Sequence, residues 1–191
     1  PMIFVFSSIL IDLCRDYLMK KYSKITLAGH SLGEYCALYF AESLDFEEML
    51  QVVKYRGDSM SIVSDPKKYS MYAILKNEDL KIDFNIFGDG VYLANFNSDR
   101  QVVICGFKDI VNKFKQQNPI GKYIPLNVSA PFHSDLMEDS AKIFSEKIKN
   151  ILFKKISIDL ISNHKLVNYK NISENDYSKQ LSLQILSLIH I

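Results

Sequence analysis

Apolar residues recur along this chain with two different periods, and the switches between them mark out its elements. Between residues 7 and 22, Ile9, Leu13, Tyr17 and Leu18 fall on one face, which predicts an amphipathic helix. Lys24-Ile25-Thr26-Leu27-Ala28 then reads as a short buried strand, and Glu34 to Phe40 as a helix apolar almost all round. Asp45 opens a further helix. Glu48 follows it at capping-box spacing, and Glu47 also suits the positive end of the helix dipole. The inner stripe of that helix is Phe46, Met49, Leu50, Val53, Gly57 and Met60, and the breakers Ser64-Asp65-Pro66 end it.

From there the pattern changes. Tyr69 to Leu75 reads as a strand, Asn77 to Phe84 as a short helix or a loop, and Val91 to Phe96 and Gln101 to Cys105 as strands around Asn97-Ser98-Asp99. Lys108 to Gln117 follows as a helix and Lys122 to Val128 as a last strand. The order β-α-β-β-α-β is that of a ferredoxin-like unit. After Pro131 the helical period returns, with Met137, Ala141, Phe144, Ile148 and Ile151 inside and Glu138, Lys142, Glu146 and Lys149 outside. Ile156 to Ser162 is a further strand. The expectation is an α/β core formed by residues 1–64 and 129–191, interrupted by a ferredoxin-like subdomain at 65–128.

At 191 residues, of which 48% are apolar, the chain has material for a real core and for one domain with an insertion. Its 23 basic and 22 acidic side chains leave a net charge of +1, and the lysines form no stripe, so nucleic acid is not an expected partner. Cys14, Cys36 and Cys105 are odd in number and lack C-x-x-C spacing, which points to a reducing compartment and no structural metal. No run reaches the roughly 18 apolar residues of a membrane span. The opening Pro-Met-Ile-Phe-Val-Phe has neither a basic region nor a cleavage site, and Leu181 to Ile191 ends apolar and uncapped. Both ends are therefore expected to be cuts through a longer domain.

Candidate chemistry centres on Gly29-His30-Ser31-Leu32-Gly33, which fits G-x-S-x-G between a strand and a helix, the context of a nucleophile elbow. The glycines permit a strained turn and a close strand–helix approach, so that the serine oxygen projects and nearby N–H groups face an oxyanion. The alternative is a tight turn in which Ser31 only caps the helix. Such an elbow makes the α/β core hydrolase-like. Of the four histidines, His30 adjoins Ser31 with a diverging side chain, His164 lies in a polar segment and His190 at the end. His133 is the candidate base, in the loop Ser129-Ala130-Pro131-Phe132-His133 before a helix opened by Ser134 and Asp135. That helix N-terminus disfavours an imidazolium and so favours a neutral base near pH 7. The alternative is an ordinary surface or packing histidine. Arg56 falls at the edge of the Val53, Gly57 and Met60 stripe, and its fork suits a carboxylate, of a ligand or of an internal salt bridge. No acid can be assigned to complete a triad, which counts against an ordinary α/β-hydrolase.

Together these residues resemble the malonyl-CoA:acyl-carrier-protein transacylases of type II fatty acid synthesis and the related acyltransferase domains of polyketide synthases. The resemblance rests on Gly29-His30-Ser31-Leu32-Gly33-Glu34-Tyr35, Arg56-Gly57, Asn95-Phe96-Asn97-Ser98 leading to Gln101-Val102-Val103-Ile104-Cys105-Gly106, Val128-Ser129-Ala130-Pro131-Phe132-His133, and Ser162-Asn163. It covers nearly the whole chain, and the insertion falls where the family has one. It implies that Ser31 is the acylated nucleophile, His133 its base, the Leu32 N–H an oxyanion donor and Arg56 the holder of the malonyl carboxylate. Gln184 resembles the glutamine whose main-chain carbonyl orients the histidine, in place of a triad acid. Phe132 resembles the bulky residue that crowds a 2-methyl group, and Met60, Asn95 and Asn97 are further substrate-binding candidates. The family begins with a strand and a glycine-rich loop whose glutamine is the second oxyanion donor, and Pro1 lies downstream of it.

The implied activity is ping-pong transfer of malonyl from malonyl-CoA to the phosphopantetheine thiol of acyl carrier protein. It needs no metal or redox cofactor, involves neither nucleic acid nor membrane, and is expected of a monomer. Enrichment in lysine, isoleucine and asparagine points to an AT-rich genome, and the resemblance to a type II pathway implies a plastid-type organelle or mitochondrion in a eukaryote, or the cytoplasm if the source is bacterial. Two rival expectations are a serine hydrolase or thioesterase with the same elbow, and an inactive truncated paralogue that only docks a carrier protein.

Overall fold

The computed structural model describes residues 1–78, 87–128 and 130–186. In chain order its elements are α1 (Met2–Lys21), β1 (Thr26–Ala28), α2 (Leu32–Phe40), α3 (Phe46–Ser61), β2 (Tyr69–Leu75), β3 (Val91–Ser98), β4 (Gln101–Phe107), α4 (Lys108–Gln117), β5 (Lys122–Pro125), α5 (Glu138–Ile148), β6 (Asp159–Ile161) and α6 (Tyr177–Gln184). Packing divides the chain into a unit made of Pro1–Ser59 with Lys142–Gln184 and a unit built on Met60–Ala141.

In the first unit β1 pairs in parallel with β6, Thr26 opposite Asp159, Leu27 opposite Leu160 and Ala28 opposite Ile161. Both strands are shorter than their sequence patterns predict. β1 is also not buried, since β6 is its only described neighbour and Thr26 and Ala28 are exposed. Its core includes Tyr35, Leu38, Leu44, Met49, Val52, Phe144, Ile148, Leu160, Tyr169, Tyr177 and Leu181, all buried. Each such side chain contributes about 1.5–3 kcal/mol of apolar burial. The rings of Tyr169 and Tyr177 meet edge to face, 4.9 Å between centroids.

α1 departs from expectation. It extends back to Met2 and docks through Phe4 and Ser8, with Ile11, Arg15 and Leu18 continuing that face. Phe4 packs against the Tyr39 and Phe46 rings, 5.9 and 6.0 Å away. Of the expected inner stripe, Ile9, Leu13 and Tyr17 are instead 54%, 78% and 59% exposed, and only Leu18 lies on the docked face. The apolar residues of α1 nearly encircle it, so their period does not choose a face. No described helix is long and apolar enough to cross a membrane.

The second unit is a four-stranded antiparallel sheet in the order β3-β4-β2-β5. One face packs Ile74, Val91, Leu93, Val102 and Ile104 against Val111 and Phe114 of α4. The other gathers Met71, Ala73, Ala94, Val103 and Cys105, with Leu126, Val128 and Phe132 against them. Covering on both faces explains why β4 is buried throughout its middle. β5 ends at Pro125, short of the expected Val128, with one further bond past it from the Leu126 N–H to the Met71 carbonyl at 3.0 Å. The helix expected at 77–84 lies outside the described residues except for Asn77 and Glu78, which form a bend. Past Pro131, the 3-10 turn Asp135–Met137 leads into α5.

The capping box forms as its spacing predicts. Glu48 N–H donates to Asp45 Oδ1 at 2.8 Å, and Asp45 N–H donates to Glu48 Oε2 at 3.0 Å. Asp45→Ala should therefore cost about 1 kcal/mol, read as a lowered midpoint in thermal denaturation. An unchanged midpoint would mean that tertiary packing alone holds the start of α3.

Candidate active site

The chain leaves β1 at Ala28 and enters α2 at Leu32 through a turn that the sequence makes very tight. A Cβ on Gly29 would lie 2.1 Å from the carbonyl carbon and oxygen of Gly33, so no other residue fits there. Gly33 differs: a Cβ there would meet nothing within 4 Å. The close approach thus depends on the first glycine and not on both. Gly33 N–H donates to the His30 carbonyl at 2.8 Å and Glu34 N–H to the Ser31 carbonyl at 3.1 Å, closing the turn.

Ser31 sits at φ 51°, ψ −107°, a conformation that L residues rarely adopt. Such strain costs of order 1–3 kcal/mol and persists only where the surroundings over-determine it. They do so here. The Ser31 N–H donates to Asn163 Oδ1 at 2.6 Å, Asn163 Nδ2 donates to the Gly29 carbonyl at 2.6 Å, and Gln184 Nε2 donates to the Ser31 carbonyl at 2.7 Å. The hydroxyl of Ser31 makes no capping bond to α2. It accepts instead from Arg56 Nη2, 2.7 Å away.

Behind the turn is Glu34, a fully buried carboxylate. It accepts from Tyr169 Oη at 2.6 Å, Gln184 Nε2 at 2.7 Å and the Asn163 N–H at 3.1 Å. Burial raises its pKa above the ordinary carboxylate value, while these donors and the Arg56 charge pull the other way. Burial likewise pushes the phenol of Tyr35 up, and the Arg56 guanidinium lies 5.5 Å from that ring's centroid.

Among the described residues Arg56 is therefore in no internal salt bridge of the kind that its place on α3 also allowed. Among the described residues its partners are the Ser31 hydroxyl and the Tyr35 ring, and its buried Nε has no acceptor. A guanidinium so placed retains donors for an incoming carboxylate. Leu32 is the first residue of α2, and its N–H has no partner among the described residues, as is usual in a first helical turn. Gln184 closes α6 fully buried, and its side-chain amide donates to the Ser31 carbonyl in the turn.

Ser31, Leu32, Arg56 and Gln184 thus belong to the first unit, and the remaining candidates to the second. His133 is only 6% exposed and has φ 60°, so it is no ordinary surface residue. Its loop is held by Ser134 Oγ donating to the Pro131 carbonyl at 2.6 Å and by Cys105 Sγ donating to the Phe132 carbonyl at 3.6 Å. Phe132 is half-buried and Met60 buried. Asn95 stands at a bulge in β3 with a buried Oδ1 that has no partner among the described residues, and Asn97 is exposed. His30 is exposed. Sequence reasoning gave no role to Glu34, Asn163 or Tyr169. For Glu34 the signal was present, as the one acid in the apolar run Leu32–Phe40.

A model of the acyl transferase domain matches residues 22–183. A polyketide biosynthesis malonyl CoA-acyl carrier protein transacylase of Bacillus subtilis is 38% identical over 141 residues, covering 72% of this chain and 49% of its own. Among solved structures, the malonyl-CoA:ACP transacylase of Synechocystis superposes with a TM-score of 0.77 at 29% identity, over 96% of this chain and 60% of that one. A malonyl-transacylase in complex with its type II polyketide synthase acyl-carrier protein gives 0.79 at 28% identity, over 95% and 60%. The chain spans about half the length of the curated relatives it matches.

Gly29→Ala should open the turn, lowering the thermal midpoint or the soluble yield. Gly33→Ala should be neutral or stabilising by up to about 1 kcal/mol from helix propensity. Equal losses in the two variants would show that the turn needs space at both glycines.

Proposed function

The chain belongs to the acyl transferase domain family, and from that premise we propose that it moves a malonyl group from malonyl-CoA to the phosphopantetheine thiol of acyl carrier protein, as in type II fatty acid synthesis. The observation that carries this reading is the 2.7 Å contact between Arg56 Nη2 and Ser31 Oγ. An acyl group esterified to that oxygen grows out beside a guanidinium. Only an acyl group with its own carboxylate can use such a neighbour, by exchanging the hydroxyl contact for a bidentate pair. The names of the relatives, which pair malonyl-CoA with acyl carrier protein, support the same substrate and partner.

In this reading Ser31 Oγ attacks the thioester carbonyl and its proton passes to His133, the base that the resemblance assigns. The oxyanion faces the Leu32 N–H, CoA departs as the thiol with the proton returned, and the carrier thiol then reverses the sequence. The main-chain carbonyl of Gln184 orients His133, Phe132 crowds a 2-methyl substituent, and Met60, Asn95 and Asn97 contact substrate. An acyl group moves between nucleophiles without change of oxidation state, so neither metal nor redox cofactor is required, and one copy suffices. The core is hydrolase-like over 1–64 and 129–191 and the insertion ferredoxin-like over 65–128. Parallel β1 and β6 around the elbow support the first, and the order β3-β4-β2-β5 the second. The relatives named above with a source are bacterial, which supports the cytoplasmic alternative for compartment over an organelle. A hydrolase or thioesterase for neutral acyl groups would have no use for Arg56 at the nucleophile.

Incubation with malonyl-CoA should leave a malonyl adduct on Ser31, and Ser31→Ala should lower the transfer rate by roughly 10³- to 10⁶-fold. An adduct on Cys36 or Cys105 that survives the substitution would remove Ser31 from the chemistry. Arg56→Ala should slow malonyl transfer by roughly 10- to 100-fold more than acetyl transfer, since charge-assisted bonds are lost only by the carboxylate. Equal losses for the two acyl groups would give Arg56 a structural role.

A further inference from the structure

The nucleophile turn is held by a residue to which none of the chemistry above gives a task. Asn163 follows β6 and presents its carboxamide edge-on to the turn. Its oxygen takes the Ser31 N–H and its nitrogen gives to the Gly29 carbonyl, each at 2.6 Å. A carboxamide has the donor and acceptor spacing of a peptide group, so Asn163 pairs with the turn as a neighbouring strand would, where β1 has already ended. Both partners fix the same amide orientation. The N–H of Ser31 lies outside the α2 ladder and would otherwise have no backbone acceptor.

The support continues behind it. The backbone of Asn163 donates to Glu34 Oε2, and the same oxygen receives Gln184 Nε2, which also donates to the Ser31 carbonyl. Each backbone polar group of Ser31 is thereby tied, directly or through one residue, to one buried carboxylate. Rotation of the turn about Ser31 would break several of these bonds together. We infer that Asn163 is the positioning residue of the nucleophile: its paired bonds to Ser31 and Gly29 keep Ser31 at positive φ and aim its oxygen. The inference rests on the reading of Ser31 as a nucleophile.

The test uses the intact chain and a fluorophosphonate probe, which a serine oxygen attacks with displacement of fluoride and which needs no malonyl recognition. Asn163→Ala loses both bonds to the turn and should label on the order of 10²-fold more slowly, the penalty typical of a misplaced reacting group. Asn163→Asp keeps the acceptor for the Ser31 N–H but sets a second carboxylate beside Glu34. It should melt below Asn163→Ala and yet label faster. A residue with a merely structural role would give labelling rates in the order of the melting points, and that order, or an unchanged rate in Asn163→Ala, would overturn the inference. Should the variants not fold, the wild-type chain decides it. The Ser31 amide should exchange hydrogen as slowly as amides inside α2, and exchange at loop rates would overturn the clamp. Wild-type labelling by the probe but not by malonyl-CoA would remove the malonyl reading and leave this one standing. Labelling by neither would remove both.

Discussion

A carboxylate placed out of reach of water has to gather donors, and Glu34 gathers them from Tyr169, Gln184 and the Asn163 backbone. These donors come from three segments distant in sequence from α2, so the demand of one buried charge fixes β6, the segment after it and the end of α6 around the start of one helix. Remove the carboxylate and the donors lose their common acceptor. Leave the carboxylate and remove a donor, and a charge is stranded in the core. The turn that carries Ser31 inherits its rigidity from this requirement, and the same groups that satisfy Glu34 hold the backbone of Ser31.

Local regularities were legible in the sequence. The Asp45–Glu48 pair predicted its own reciprocal bonds, and Tyr69 to Leu75, Val91 to Phe96 and Gln101 to Cys105, expected as strands, lie in one antiparallel sheet. G-x-S-x-G predicted a strand-to-helix turn. What failed, failed for physical reasons. In α1, Ile9 and Leu13 stand four residues apart, as do the docked Phe4 and Ser8, and a helix apolar on most sides gives its period nothing to select. The two glycines of the motif look alike in sequence, yet only Gly29 faces another backbone. Asn163 and Tyr169 reach the turn across 132 and 135 residues, and no local pattern records a contact of that length.

The second unit repeats one feature of the first on its own terms. His133, like Ser31, is a non-glycine residue at positive φ, and both lie in short loops pinned by side-chain bonds to main-chain carbonyls. Strain held in this way gathers where a side chain must point in a direction that relaxed backbone would not give it. In His133 the pinning comes from Ser134 and Cys105, neighbours that are themselves buried.

Positive φ at Ser31 also bears on how such a sequence would change over generations. Glycine occupies that region of backbone space without steric cost. Stability alone therefore favours glycine at position 31, by an amount that every copy of the protein forgoes while serine is kept. A descendant used only as a docking surface would be under no pressure to keep it, and drift would run toward the relaxed residue. This chain carries the hydroxyl against that gradient, together with the asparagine, glutamine and buried acid that hold its backbone, so loss of any one of those supports would weaken the fold's means of tolerating serine there.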